Sequence, residues 1–156
     1  MAINYWLFKT EPGAYSIHDL AVEPKKTTCW DGVRNYQARN MLRDEIKKGD
    51  LVLIYHSSTK LPAVVGTAVV VKEGYPDHTA WDKNDKHFDA KSTPEKPRWF
   101  MVDVKLDQIF PREVPLPELR DVAALKKMVL LRKGSRLSIQ PVGKREFDQI
   151  VRMAAK

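Results

Sequence analysis

The chain has 156 residues, 43% hydrophobic and 30% charged, which fits one domain with its own core and leaves no apolar run of membrane-spanning length. A single cysteine, Cys29, excludes an internal disulfide framework, and four scattered histidines offer no metal-ligand spacing, so neither a metal nor a cofactor is expected. The net charge of +7 is uneven: residues 1–111 hold 16 Lys+Arg against 15 Asp+Glu, and residues 112–156 hold 11 against 5. Such a basic carboxy-terminal third suits nucleic acid, and suits a plain solvated face about equally well.

Residues 1–6 lack a basic segment followed by an apolar one, so no signal peptide is expected. With the cysteine usage this points to the cytoplasm, or to the nucleus in a eukaryotic cell. Residues 3–9 are aromatic and β-prone, a strand ended by Glu11-Pro12-Gly13. Ser16 is a candidate N-cap for a short helix carrying Ile17 and Leu20. Asn35 is a second, for a helix with Ala38, Met41, Leu42 and Ile46 at helical spacing and Gly49 as its end. Residues 51–55 and 63–71 are continuous apolar runs, read as strands buried on both faces, with Gly66 a bulge or close-approach point.

Residues 73–98 lose all periodicity, and a long irregular loop in a compact domain is more often functional than idle. Residues 99–106 resume β-alternation. Residues 108–116 read as a further strand pushed to an edge by Pro111 and Pro115. Residues 118–132 read as the best helix of the chain, burying Leu119, Val122, Leu125, Met128 and Val129 and stopped by Gly134. A short loop or strand at 135–141 precedes a last helix at 144–153 that buries Phe147, Ile150 and Val151. The expected architecture is one α+β domain, residues 1–156, with a mixed, curved sheet or small barrel of five to six strands and flanking helices.

The richest stretch is residues 30–40, Trp-Asp-Gly-Val-Arg-Asn-Tyr-Gln-Ala-Arg-Asn. It mixes aromatics, amides, a carboxylate and arginines around one glycine, which suits a flat hydrogen-bonding ring better than a core helix. Trp30 at a turn lip is a stacking wall, with Asp31, Gly32 and Val33 beside it. Asn35 and Tyr36 crowd the helix start, and Arg34 and Arg39 are candidate phosphate contacts. A Trp that merely caps the core is the plainer alternative.

Lys9-Thr10-Glu11 closes the first strand with three polar groups. Glu11 is a candidate acceptor for an exocyclic amine such as that of cytosine. Read as an enzyme, Lys9 would activate the Thr10 hydroxyl while Glu11 moves a proton. Tyr55-His56-Ser57 ends a buried strand in polar groups, where sites of sheet proteins collect. Tyr75 and Trp81 in the long loop compete as a second aromatic wall. Ser135, Arg136 and Ser138 are candidate phosphate contacts, and Gln140 reads a base edge or ties down backbone. No glycine-rich phosphate loop, nucleophile elbow or metal-binding helix motif is present.

Taken in order, residues 5–12, 30–40, Gly49-Asp50, 55–57, Val65-Gly66, Tyr75-Pro76-Asp77 and 135–141 resemble the EVE domain family over essentially the whole chain. The resemblance implies a PUA-like fold, a curved β-barrel with helices around it. It also implies kinship with YTH domains, which hold N6-methyladenine in an aromatic cage, and binding of modified bases in DNA, notably modified cytosines. It places Trp30 as a cage wall, Lys9 to Glu11 as the pocket floor and Asn35 and Tyr36 at the entrance. Gly143 departs from the Thr or Ser expected as cap of the last helix.

The partner expected is therefore a nucleic acid carrying a modified base, DNA before RNA, read by a monomer that engages neither membrane nor metal. On this reading Trp30→Ala loses the base and leaves the fold intact. The alternatives are a hydrolase of the PUA-like ASCH type acting on nucleosides or RNA through Lys9, Thr10 and Glu11, and an RNA-binding accessory protein in translation or RNA modification.

Overall fold

Strand alternation sorts the apolar side chains onto two faces of a single sheet, and each face is roofed by helices. The structure is a computed structural model that describes residues 2–134 and 136–155. Its six strands are β1 (Tyr5–Thr10), β2 (Thr27–Cys29), β3 (Leu51–His56), β4 (Ala63–Pro76), β5 (Phe100–Pro115) and β6 (Ile139–Val142). They hydrogen-bond in the order β2-β5-β4-β3-β1-β6. Only β1 and β3 run parallel, in the register Tyr5↔Leu51 to Thr10↔His56; the other pairings are antiparallel. The sheet is mixed as expected, but β2 and β6 remain its two edges, so no closed barrel forms.

Trp6, Phe8, Val52, Ile54, Val102 and Val104 pack on one face, under α1 (Ile17–Ala21) and α2 (Tyr36–Asn40) with the π-helical turn Met41–Glu45 that continues it. Leu7, Leu53, Tyr55, Val64, Phe110 and Val114 pack on the other, under α3 (Leu116–Arg120) and α4 (Lys144–Ala154). Both faces are buried under helices, which is why β3 and the first half of β4 read as unbroken apolar runs. A fully buried leucine such as Leu53 contributes about 1.5–3 kcal/mol.

Both expected helix starts are present. Ser16 accepts from the Asp19 N–H while Asp19 accepts from the Ser16 N–H, closing a capping box. The Asn35 side-chain oxygen Oδ1 accepts from the Ala38 N–H at 2.9 Å. At the last helix the Glu146 side chain reaches back to the Gly143 N–H at 2.8 Å, which partly replaces the side-chain cap that glycine lacks. Gly66 is a close-approach point: an added Cβ would overlap the Gln108 carbonyl and the Ile17 side chain, and the register of β4 shifts on both sides of it.

Two expectations need correction, and one strand was not expected. Residues 118–132 form no continuous helix but α3 followed by two short 3₁₀ turns, Ala123–Leu125 and Val129–Leu131. Leu119, Val122, Leu125 and Met128 recur at a strict spacing of three, which is the 3₁₀ period, and a straight α-helix would carry them around its axis and off the core. Residues 108–116 are not a separate edge strand but the continuation of β5, which pairs with β4 along its length. Pro111 is tolerated because it falls in the register gap between Ile109 and Val114, on a stretch that β2 does not reach. The strand β2 itself went unforeseen, three residues being too short to show alternation.

Candidate nucleic-acid interface

The ends of β1 and β2, the turn after each, and the irregular loop before β5 enclose a cleft of about 810 Å³. Lys9, Thr10, Glu11, Ala14 and Tyr15 form one side; Thr28, Cys29, Trp30, Asp31, Gly32, Val33 and Arg34 the second; Asn84, Asp85, Lys86 and His87 the third; Ser138 closes the rim. Lys9 is fixed by the β1–β6 edge, its N–H donating to the Ser138 carbonyl at 2.8 Å. Trp30 is fixed by the β2–β5 ladder, its N–H donating to the Val102 carbonyl at 2.8 Å.

Trp30 is only 8% exposed. The Phe8 ring lies 5.3 Å from it, and Tyr15 meets it edge-on at 6.3 Å. It is therefore a core residue that shows a margin to the cleft, and its burial weighs against the expectation that Trp30→Ala leaves the fold untouched. Tyr15 is the second aromatic of the cleft, and neither Tyr75 nor Trp81 lines it. The Thr10 hydroxyl donates to the Tyr15 carbonyl at 2.7 Å, and the Ala14 and Tyr15 N–H groups both donate to the Glu11 carbonyl, so the turn after β1 folds back and lifts this ring into place. Burial, together with the Glu23 carboxylate that accepts from its hydroxyl at 2.8 Å, pushes the Tyr15 phenol up to about 12. The signal in the sequence was an aromatic immediately before a helix cap.

Asp77 holds the third wall. Fully buried, it accepts from the Gly32 N–H at 2.8 Å, from the Arg34 guanidinium at 3.0 Å and from Thr79. Burial opposes its ionisation, but these donors and the Arg34 charge outweigh that and hold its carboxyl below the usual range. Arg34 also donates twice to the His87 carbonyl, at 2.7 and 3.1 Å. Arg34 is thus a staple between loop and turn, with its guanidinium committed, and not a free phosphate contact. Gly32 has φ +77°, and an added Cβ would overlap the His87 ring, so this wall needs glycine on two counts.

Several expected site residues stand elsewhere. Tyr55 packs in the second core cluster. His56 accepts the Ile17 N–H on Nε2 at 3.0 Å, capping α1, and burial lowers its pKa and keeps that nitrogen free of a proton. Ser57 donates its N–H to the Thr10 carbonyl behind the cleft. The Tyr75 hydroxyl donates to Asp103, and Lys72 sits over its ring. Trp81 ends a 3₁₀ turn with its indole nitrogen buried.

Asn35 is spent as a helix cap, and Tyr36 stacks on Trp99 at 4.9 Å outside the cleft. Arg39 donates to Asn40 and to the Arg98 carbonyl. Gln140 is fully buried and donates to the Leu137 carbonyl, tying down backbone. Arg136 is exposed, two residues before the rim, and Ser135 lies outside the described residues. Asn35, Tyr36 and Arg39 follow Trp30 closely in sequence, but the helix they enter turns their side chains away from the cleft.

The cleft is electrostatically mixed, with Lys9, Arg34 and Lys86 against Glu11, Asp31 and Asp85. Four basic side chains of the carboxy-terminal third, Lys126, Lys127, Lys144 and Arg145, stand elsewhere, around a hollow of about 540 Å³. Among the described residues no helix is long and apolar enough to cross a membrane, and no group of three His, Cys, Asp or Glu side chains is placed to hold a metal ion.

Comparison with known proteins places this geometry. The family model of the EVE domain matches residues 4–153. Human thymocyte nuclear protein 1 is 44% identical over 170 residues, spanning 98% of this chain and 75% of that protein. A hypothetical protein from Leishmania major superposes with a TM-score of 0.92 at 48% identity, covering 99% of this chain and 96% of its own. The structure of human THYN1 protein in complex with DNA containing 5-methylcytosine superposes with a TM-score of 0.91 at 44% identity, covering 98% of each chain. The mixed six-stranded sheet with flanking helices is thus the PUA-like fold of these relatives.

Proposed function

The chain belongs to the EVE domain family, and on that footing we propose that it is a nucleic-acid-binding module that receives a modified nucleobase, a modified cytosine in DNA, in the cleft between β1, β2 and the loop before β5. The observation that carries this reading is the cleft itself. Its volume, about 810 Å³, lies in the range of small-ligand pockets, about 300–1,000 Å³. Its lining pairs two aromatics, Trp30 and Tyr15, with groups that donate and groups that accept hydrogen bonds. That a human relative of the same fold forms a complex with DNA containing 5-methylcytosine supports the choice of base.

Extruding a base from a duplex costs a few kcal/mol, and stacking returns about 1–3 kcal/mol per base. The edge contacts must provide the remainder, which makes a base with donors and acceptors on one edge the natural occupant. The acid-base alternative at Lys9, Thr10 and Glu11 has less support, because the Thr10 hydroxyl is engaged with the Tyr15 carbonyl. We infer action as a monomer, in the cytoplasm or, in a eukaryotic cell, the nucleus.

The test is a titration against matched DNA and RNA oligonucleotides carrying cytosine, 5-methylcytosine, 5-hydroxymethylcytosine, adenine or N6-methyladenine. Preference for the modified cytosines in DNA is the expected result. A flat response across the panel would sink the reading.

A further inference from the structure

Two side chains of opposite charge share the cleft without meeting. Lys9 and Asp31 both line it and are both half-buried. Among the described residues no ion pair joins them, the Lys9 ammonium has no side-chain hydrogen bond, and the Asp31 carboxylate is met only by its own backbone N–H and the more distant His87. Burial lowers the pKa of the Lys9 ammonium. Burial, and then the nearby negative charge of Asp77, raises that of the Asp31 carboxyl. Each group is therefore drawn partly out of water with no opposite charge bonded to it, and at Asp31 the local backbone contact does not offset the burial, an arrangement typical of a side chain held for an external partner.

The chemistry of that partner follows from the pair. A phosphate would satisfy Lys9 and be repelled by Asp31, and a simple cation would do the reverse. A neutral ring with an amine and a carbonyl along one edge satisfies both. Cytosine is such a ring: its exocyclic amine donates to a carboxylate, and its ring carbonyl accepts from an ammonium. Glu11, the other carboxylate that the sequence offers for the amine, is exposed and open to water.

We propose that Asp31 accepts the exocyclic amine of the bound base and Lys9 donates to its ring carbonyl, so that the cleft selects an amino-pyrimidine over thymine. The proposal rests on the modified-cytosine reading above. Thymine carries the same 5-methyl group but an oxygen in place of the amine, and that oxygen would face the Asp31 carboxylate, acceptor against acceptor.

The experiment measures affinity for single-stranded DNA oligonucleotides that differ only in 5-methylcytosine, cytosine or thymine at one position, with thermal melting of each variant as the folding control. Wild-type protein should favour 5-methylcytosine over thymine by on the order of tenfold or more. Asp31→Asn should bring that ratio close to one, because a carboxamide can turn its amine toward the thymine oxygen. Lys9→Met should weaken both ligands alike, since both rings carry the carbonyl it contacts.

An Asp31→Asn protein that keeps the parental ratio overturns the assignment and leaves the modified-base reading standing, and so does a Lys9→Met protein that loses the ratio. Wild-type protein that binds all three oligonucleotides equally overturns the reading and the assignment with it. If Asp31→Asn melts too low to assay, Asp31→Ser is judged by the same ratio.

Discussion

The Asp77 carboxylate accepts a hydrogen bond from the backbone N–H of Gly32 at 2.8 Å, across 45 positions of the chain. One buried side chain thereby ties the turn that carries Trp30 and Asp31 to the loop that forms the opposite wall of the cleft. Arg34 completes the tie, 3.0 Å from the same carboxylate oxygen and bonded to the His87 carbonyl.

Asp77→Asn should therefore loosen the wall before it unfolds the sheet. Removing one partner of a fully buried pair costs about 3–5 kcal/mol. Arg34 keeps 23% of its side-chain surface exposed, which lowers the expected cost to about 2–3 kcal/mol. Chemical denaturation measures the total, and amide exchange should show residues 82–98 losing protection first.

Trp30→Ala should cost about 3–5 kcal/mol of stability, the usual penalty for truncating a buried Trp, because the indole packs on Phe8 at 5.3 Å and is 8% exposed. Loss of binding in that variant is uninformative unless folding is checked. Tyr15→Ala is the cleaner variant: its ring is half-buried at the cleft, and the change should reduce affinity for a modified strand with a smaller shift in melting temperature.

His56 should make stability fall with acid. Its pKa is lowered from the ordinary 6.5 by burial, so the unfolded chain binds its proton more readily than the native one. The native advantage is complete above the unfolded value and declines as pH drops below about 6.5 toward the native value. Protonating Nε2 also removes the acceptor of the Ile17 N–H. Melting temperatures measured between pH 7.5 and 5 should show this slope, and His56→Gln should flatten it.

Arg136→Ala should weaken binding to modified and unmodified strands alike and lower the salt slope by about 1. Arg136 is exposed close to the rim residue Ser138. An unchanged dependence of affinity on salt would remove it from the phosphate path.

Much of the cleft could be read in advance because it is built from strand ends. Lys9 and Thr10 end an aromatic, β-prone strand with Glu11 just after it, and Trp30 to Arg34 precede a capped helix, so their place at the end of an element was visible in composition and caps. Tyr15 escaped notice because its direction depends on a turn closed by the Thr10 hydroxyl and the Glu11 carbonyl, a contact no spacing rule anticipates. The loop of residues 73–98 was marked as functional, but Asn84 to His87 within it escaped notice because no periodicity tells which part of an irregular loop turns to the cleft.

The sequence by itself determined the two-faced strands, the capped helices, the glycine at position 66 and the polar groups at the end of β1. These follow from side-chain alternation, capping chemistry and the missing Cβ, all of which act over a few residues. Only the tertiary structure decided that Arg34 and Asp77 are a staple, that Tyr75 and Trp81 stand outside the cleft lining, and that Lys9 and Asp31 share it with no ion pair between them. Those outcomes depend on which distant donors and acceptors arrive together, and burial makes each unmatched polar group costly enough to choose among them.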